Sequence, residues 1–161
     1  MADMNVPDVD ILVESPLWER VPQARATVLR AVAAVAADRD AGAKLRHGDE
    51  MGVTFTDDAA IAALNGRWRG KDGPTNVLSF PAPPPPSSEI PHFLGDIVLA
   101  FETLEREANS EGKAVEQHLA HLVVHSFLHL LGHDHEEDEE ASRMETLETG
   151  ILATIGIADP Y

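Results

Sequence analysis

Hydrophobic and polar positions alternate over residues 9–14, with Val9, Ile11 and Val13 on one side and Asp10, Leu12 and Glu14 on the other. A period of two predicts a first strand, which Pro16 stops. Over residues 21–37 the apolar positions Val21, Val28, Leu29, Val32 and Val35 take helical spacing, and the alanine-rich filling suits a core-packing helix. Residues 40–49 form a polar connection. Met51, Val53 and Phe55 alternate again as a second strand. Asp57 or Asp58 then caps a short helix carrying Ile61 and Leu64, and a turn-rich loop follows over residues 65–74. Residues 75–80 and 94–100 are β-branched and apolar, and predict the third and fourth strands. Between them, residues 81–91 hold six prolines. They predict an extended, mobile loop of polyproline character without a catalytic role.

The last third of the chain changes period. Residues 102–108, 113–131 and 137–155 read as three helices. The middle one carries Leu119, Leu122, Val123, Phe127, Leu128, Leu130 and Leu131 between its histidines. It is apolar on nearly all sides, which predicts a buried central helix. The order is βαβαββααα. That is an α+β fold: residues 1–161 form a single domain, with a mixed sheet of four or five strands packed with helices. The pattern does not fix the strand order.

Five of the eight histidines fall within residues 121–135. His125 and His129 stand four apart, on one helix face, at a reach where two imidazoles share a metal ion. Gly132 ends the helix and lets His135 return as a third ligand. Three neutral nitrogens without a fourth protein ligand predict an open catalytic zinc site on the central helix, one ion per chain. His118 and His121 extend the same face but lie too far along the axis to join the triad easily. Asp134 either orients His135 or caps the next helix.

The pattern matches the metzincin protease signature at every named position but one. Ser126 stands where those proteases carry a glutamate general base, so peptide hydrolysis by that route is disfavoured. Phosphodiester cleavage needs charge neutralisation more than a carboxylate base, and it stays open.

Charge sharpens this. The net charge is −16, poor for general nucleic-acid binding. It is unevenly spread: residues 136–148 hold seven acids and one arginine, whereas residues 67–71 hold three cations and no acid. The acidic run suits the positive end of a helix dipole and reads as structural. There are no cysteines, so disulfides and thiolate metal sites are excluded. The acidic N-terminal stretch lacks a leader pattern, and no apolar run is long enough for a membrane span, which predicts a soluble, cytoplasmic protein.

His125-Ser-Phe-Leu-His129-Leu-Leu-Gly-His-Asp-His135 resembles the signature of the YbeY family of bacterial endoribonucleases, also called rRNA maturation factors. The stretch Trp68-Arg69-Gly-Lys71-Asp-Gly-Pro-Thr-Asn-Val-Leu-Ser-Phe-Pro81 resembles the family's central motif, and Thr56-Asp-Asp58 and Gly95-Asp96-Ile97 resemble its flanking segments. The likeness covers roughly residues 51–155. Ser126 replaces the usual glycine, and His133 a frequent tyrosine. The resemblance implies a zinc-dependent, single-strand-directed endoribonuclease acting in small-subunit rRNA 3′-end maturation and ribosome quality control. It implies His125, His129 and His135 as zinc ligands and Arg69 as the arginine of the active cleft. A guanidinium fork matches a phosphate; Lys71 and Arg67 are weaker candidates for backbone contacts. Partners would be single-stranded or ribosomal RNA, and the small subunit or an assembly protein. Two other classes remain: a metallopeptidase or other metal hydrolase, and a ribosome-assembly module whose zinc is only structural.

Overall fold

The computed structural model describes residues 5–83, 87, 92–133 and 137–161. The elements run β1 (Asp8–Val13), a 3-10 turn (Pro16–Arg20), α1 (Ala24–Ala37), α2 (Arg39–Gly42), β2 (Glu50–Thr56), α3 (Asp58–Arg69), β3 (Val77–Pro81), β4 (Phe93–Ala100), α4 (Phe101–Ser110), α5 (Val115–Leu130) and α6 (Asp138–Ala153). The four strands form one mixed sheet in the order β1-β2-β4-β3. β1, β2 and β4 are mutually parallel, and β3 runs antiparallel to β4 at the edge.

Alternation along the strands assigns the two faces. Met51, Val53 and Phe55 of β2 and Ile97 and Leu99 of β4 enter the main core with α1, α4, α5 and α6. Leu78, Val98 and Ala100 face the other way and bury Ile61 of α3 in a smaller cluster. Leu94 and Ile97 both face the main core although an odd number of steps separates them. A register shift against β2 reconciles them. Gly95 permits it with φ 139°, where a Cβ would meet the Phe80 carbonyl oxygen at 2.4 Å. Trp18 closes one end of the core: its ring stacks on Phe55 at 4.2 Å, and its indole N–H donates to the Thr56 carbonyl at 2.8 Å.

The expected strands and long helices are all present. One element is longer than expected. α3 does not stop near Leu64 but continues through Arg69, so Arg67, Trp68 and Arg69 are helical rather than part of a loop. Gly66 is carried on its exposed side, and Gly70 ends it in the left-handed region at φ 63°. Asp57, not Asp58, is the cap, accepting from the Ala60 N–H at 2.9 Å. Asp58 instead ties α3 to α4 through Thr103 Oγ1 at 2.7 Å and Arg106 at 3.1 Å. Most of the proline-rich stretch, and with it its expected mobility, lies outside the described residues, as do Asp134 and His135. The N-cap position of α6 is Glu137. Among the described residues no helix is long and apolar enough to cross a membrane.

Candidate active site

α5 is the helix that the rest of the fold wraps: α1, α4, α6, β3 and β4 all pack on it. One stripe stays open. His121, His125 and His129, each four residues on from the last, line a cleft of about 500 Å³. The opposite wall is β3 with the approach to it, including Asn76, Val77 and Ser79, and Arg69 from the end of α3.

The two predicted ligands on the helix converge. His125 Nε2 and His129 Nε2 stand 3.2 Å apart. Two nitrogens bound at zinc distance with tetrahedral angles would stand about 3.3 Å apart. Gly132, at φ 96°, then turns the chain out of the helix. The His133 N–H reaches the Leu128 carbonyl at 3.0 Å and the Gly132 N–H the His129 carbonyl at 3.0 Å, which is a Schellman ending. His135, the third expected ligand, follows this turn but lies outside the described residues. Among the described residues no three His, Asp or Glu side chains are grouped to hold an ion.

Behind the histidines lies a residue that the sequence reading passed over. Glu148 of α6 has no solvent exposure. One of its oxygens accepts from His125 Nδ1 and the other from the Tyr161 hydroxyl, and His121 Nε2 lies 3.5 Å from the latter. Burial pushes its pKa up, but the hydrogen bonds from His121, His125 and Tyr161 outweigh that and hold it at about 2. An ionised carboxylate only accepts, so the proton of His125 sits on Nδ1 and the lone pair of Nε2 faces His129 and the cleft. The Tyr161 hydroxyl moves the opposite way, raised by burial and then by its bond to Glu148. A signal for Glu148 was available: it shares a buried stripe of α6 with Met144, Ile151 and Leu152, where a bare carboxylate would be costly. Tyr161 had none, since its contacts reach across the fold.

The other histidines divide. His118 is buried and bonds Glu107 Oε1 at 2.9 Å; that same oxygen accepts from Asn76 Nδ2 at 2.9 Å, so His118 braces a cleft-lining residue from behind. His121 lines the cleft, with its Nε2 3.5 Å from a Glu148 oxygen. Ser126 is fully buried at the base of the cleft, with its Oγ unpartnered among the described residues. Arg69 lines the cleft, whereas Lys71 and Arg67 are exposed and do not.

The donor set therefore fits one metal ion: two convergent imidazole nitrogens, one fixed by a buried carboxylate. The family model described as Endoribonuclease YbeY matches residues 18–156. The chain belongs to the YbeY family. A Bradyrhizobium diazoefficiens protein named Endoribonuclease YbeY is 49% identical over 100% of this chain and 88% of its own length. A Rhodopseudomonas palustris (strain BisB18) protein of the same name is 49% identical, covering 96% of this chain and 92% of its own. The solution structure of a Thermotoga maritima protein shares the fold at a TM-score of 0.58 and 24% identity, covering 91% of this chain and 88% of that one. The YbeY match takes in both cleft walls, from α3 through α6.

Proposed function

We propose that this protein is a zinc-dependent, single-strand-specific endoribonuclease acting in 3′-end maturation of small-subunit rRNA and in ribosome quality control. The observation that carries the reading is one cleft holding both the converging His125 and His129 nitrogens and the guanidinium-bearing Arg69. The names of the relatives supply the reaction class. His125, His129 and His135 would hold the zinc. When bound, zinc supplies Lewis-acid neutralisation of charge at a phosphoryl oxygen.

The chain's own residues do the rest. Glu148 keeps the proton on His125 Nδ1 and stays ionised itself. Arg69 offers a planar fork of donors to the non-bridging phosphate oxygens, where charge grows in the transition state. Asn76, held by Glu107, gives the strand wall a fixed polar edge. Lys71, exposed two residues beyond the cleft-lining Arg69, would meet a neighbouring phosphate. No carboxylate is among the described residues lining the cleft, and Ser126 is no base. Ser126 at the metzincin glutamate position disfavours a peptidase mechanism of that kind. On a chain of net charge −16, much of the affinity for rRNA would come from the small subunit or an assembly protein in the cytoplasm.

The test is cleavage of a labelled single-stranded RNA by the zinc-loaded protein beside Arg69→Ala and His129→Ala preparations made identically. Cutting by the parent alone assigns the activity to this cleft. Equal cutting by all three, or none by any, sinks the nuclease reading and favours an assembly module with a structural metal.

A further inference from the structure

Trp68 breaks the packing rule of its own helix. Ile61, Leu64, Asn65 and Trp68 recur at i, i+3, i+4 and i+7 of α3, the spacing of a face turned toward a core. Ile61 is 0% and Asn65 5% exposed, yet Trp68 is 65% exposed. The helix runs past its apolar partners, and the stripe continues into solvent. The other tryptophan, Trp18, is 3% exposed and stacked on Phe55, as a core indole should be. Among the described residues the Trp68 ring has no aromatic or cationic partner.

This exposed ring sits on an ordered support. The Gly70 N–H returns to the Asn65 carbonyl, the Lys71 N–H reaches the same oxygen at 3.3 Å, and Asn65 Nδ2 donates to the Gly73 carbonyl at 3.0 Å. Asn65 is thereby a buried clasp that folds the turn back onto the helix. Arg67, Arg69 and Lys71 are neighbours of Trp68 in the sequence, and no acid lies within residues 67–71 of an otherwise acidic chain. Arg69, the next residue, lines the cleft. An uncovered indole on an ordered helix end, with cations as its sequence neighbours and the next residue lining the cleft, matches the chemistry of single-stranded nucleic acid: π faces for bases and positive charge for the backbone.

We propose that Trp68 is a stacking platform for an unpaired nucleobase of the substrate strand, placed beside the phosphate that enters the cleft. The assignment rests on the endoribonuclease reading and adds the means of strand selection. A base in a duplex has both faces covered by its neighbours, so only a single strand has a face to give. Because every base has a π face, the platform tolerates any sequence.

The experiment uses tryptophan fluorescence, for which buried Trp18 is the constant background. The zinc-loaded protein is titrated with a 2′-O-methyl oligouridylate, with an abasic oligomer of equal length and charge, and with a duplex. Steady-state cleavage of single-stranded RNA is followed in parallel for the parent, Trp68→Phe and Trp68→Leu. The base-bearing single strand should quench emission, and the abasic strand and the duplex should not. Trp68→Leu should lose the quench and raise KM about tenfold with kcat unchanged, while Trp68→Phe restores KM to within about threefold. A quench that survives in Trp68→Leu, an equal quench by the abasic strand, or an unchanged KM in Trp68→Leu overturns the platform. So does saturable quenching by an unstructured peptide but not by RNA, which would assign the patch to a protein partner. If the parent does not cut RNA yet shows base-dependent quenching, the nuclease reading fails and the platform stands as a nucleic-acid site. If the parent cuts and Trp68→Leu matches it, the reverse holds.

Discussion

On the α5 side of the cleft, His121, His125 and Tyr161 converge on a carboxylate with no solvent exposure. On the α3 side, Trp68, Arg69 and Lys71 project from a helix end clasped by hydrogen bonds to Asn65. The first wall fixes side chains through other side chains. The second fixes only its backbone and leaves long side chains to the solvent. A metal demands ligand nitrogens held to a few tenths of an ångström, and a buried carboxylate supplies that. A polyanionic strand arriving in many conformations is better met by mobile cations on a fixed base. The contrast predicts that damage to the first wall removes the metal, whereas damage to the second leaves the metal and weakens the handling of substrate.

The largest effect should come from His129→Ala. Zinc content, read by mass spectrometry after dialysis, should fall from about one ion per chain to near none, and RNA cleavage should fall to background. Retention of a full equivalent of zinc by this variant would break the comparison at its root. Arg69→Ala is the matching test of the other wall. It should keep its zinc and lose about 10²–10³-fold in kcat, as for removal of one transition-state donor. Arg69→Lys should recover only part of that, because a point charge lacks the fork.

Glu148→Gln should sit between these two. Its side chain keeps the shape but not the charge that holds the proton on His125 Nδ1, so zinc affinity should fall about 10–100-fold in a competition titration. The same residue gives the metal-free protein an acid limb. Its folded pKa is about 2 against an ordinary 4.5. A depressed carboxylate contributes stability above the ordinary value and loses it as pH falls toward the folded one. The unfolding midpoint of metal-free protein should therefore drop between pH 4.5 and 2, and Glu148→Gln should flatten that part of the curve. A parallel drop in both proteins would show that other groups carry the acid limb.

The two walls were also unequally legible in the sequence. The convergence of His125 and His129 was readable because side chains four apart on a helix stand on one face, and Gly132 marks where the helix stops. Glu148 was hidden inside an acidic run whose other described members are mostly exposed, and only its place on the buried stripe of α6 sets it apart. Tyr161 meets Glu148 through tertiary packing, which no local period encodes. On the α3 side, Asn65-Gly-Arg-Trp-Arg-Gly reads as a turn by composition, yet the helix tolerates Gly66 on its solvent side and ends only at Gly70. The sheet shows the same divide. Each strand was readable from alternation, but the insertion of β4 between β2 and β3 is a long-range pairing that alternation does not record.

Lys71→Ala should give the smallest effect, and it separates the rim from the cleft itself. Lys71 is exposed and stands outside the cleft lining, two residues beyond Arg69 and past the Gly70 cap. Its charge would meet a phosphate of the bound strand without touching the reacting one. The variant should bind zinc normally and keep kcat, with KM raised a few-fold at low salt. On a log–log plot, the salt dependence of binding to single-stranded RNA should lose about 0.7 in slope, the share of one phosphate contact. The gap between parent and variant should then close as salt rises, because an exposed charge is screened over about 8 Å at physiological ionic strength. A loss in kcat that persists at high salt would instead place Lys71 inside the reacting site and erase the division between a rim that gathers the strand and a cleft that cuts it.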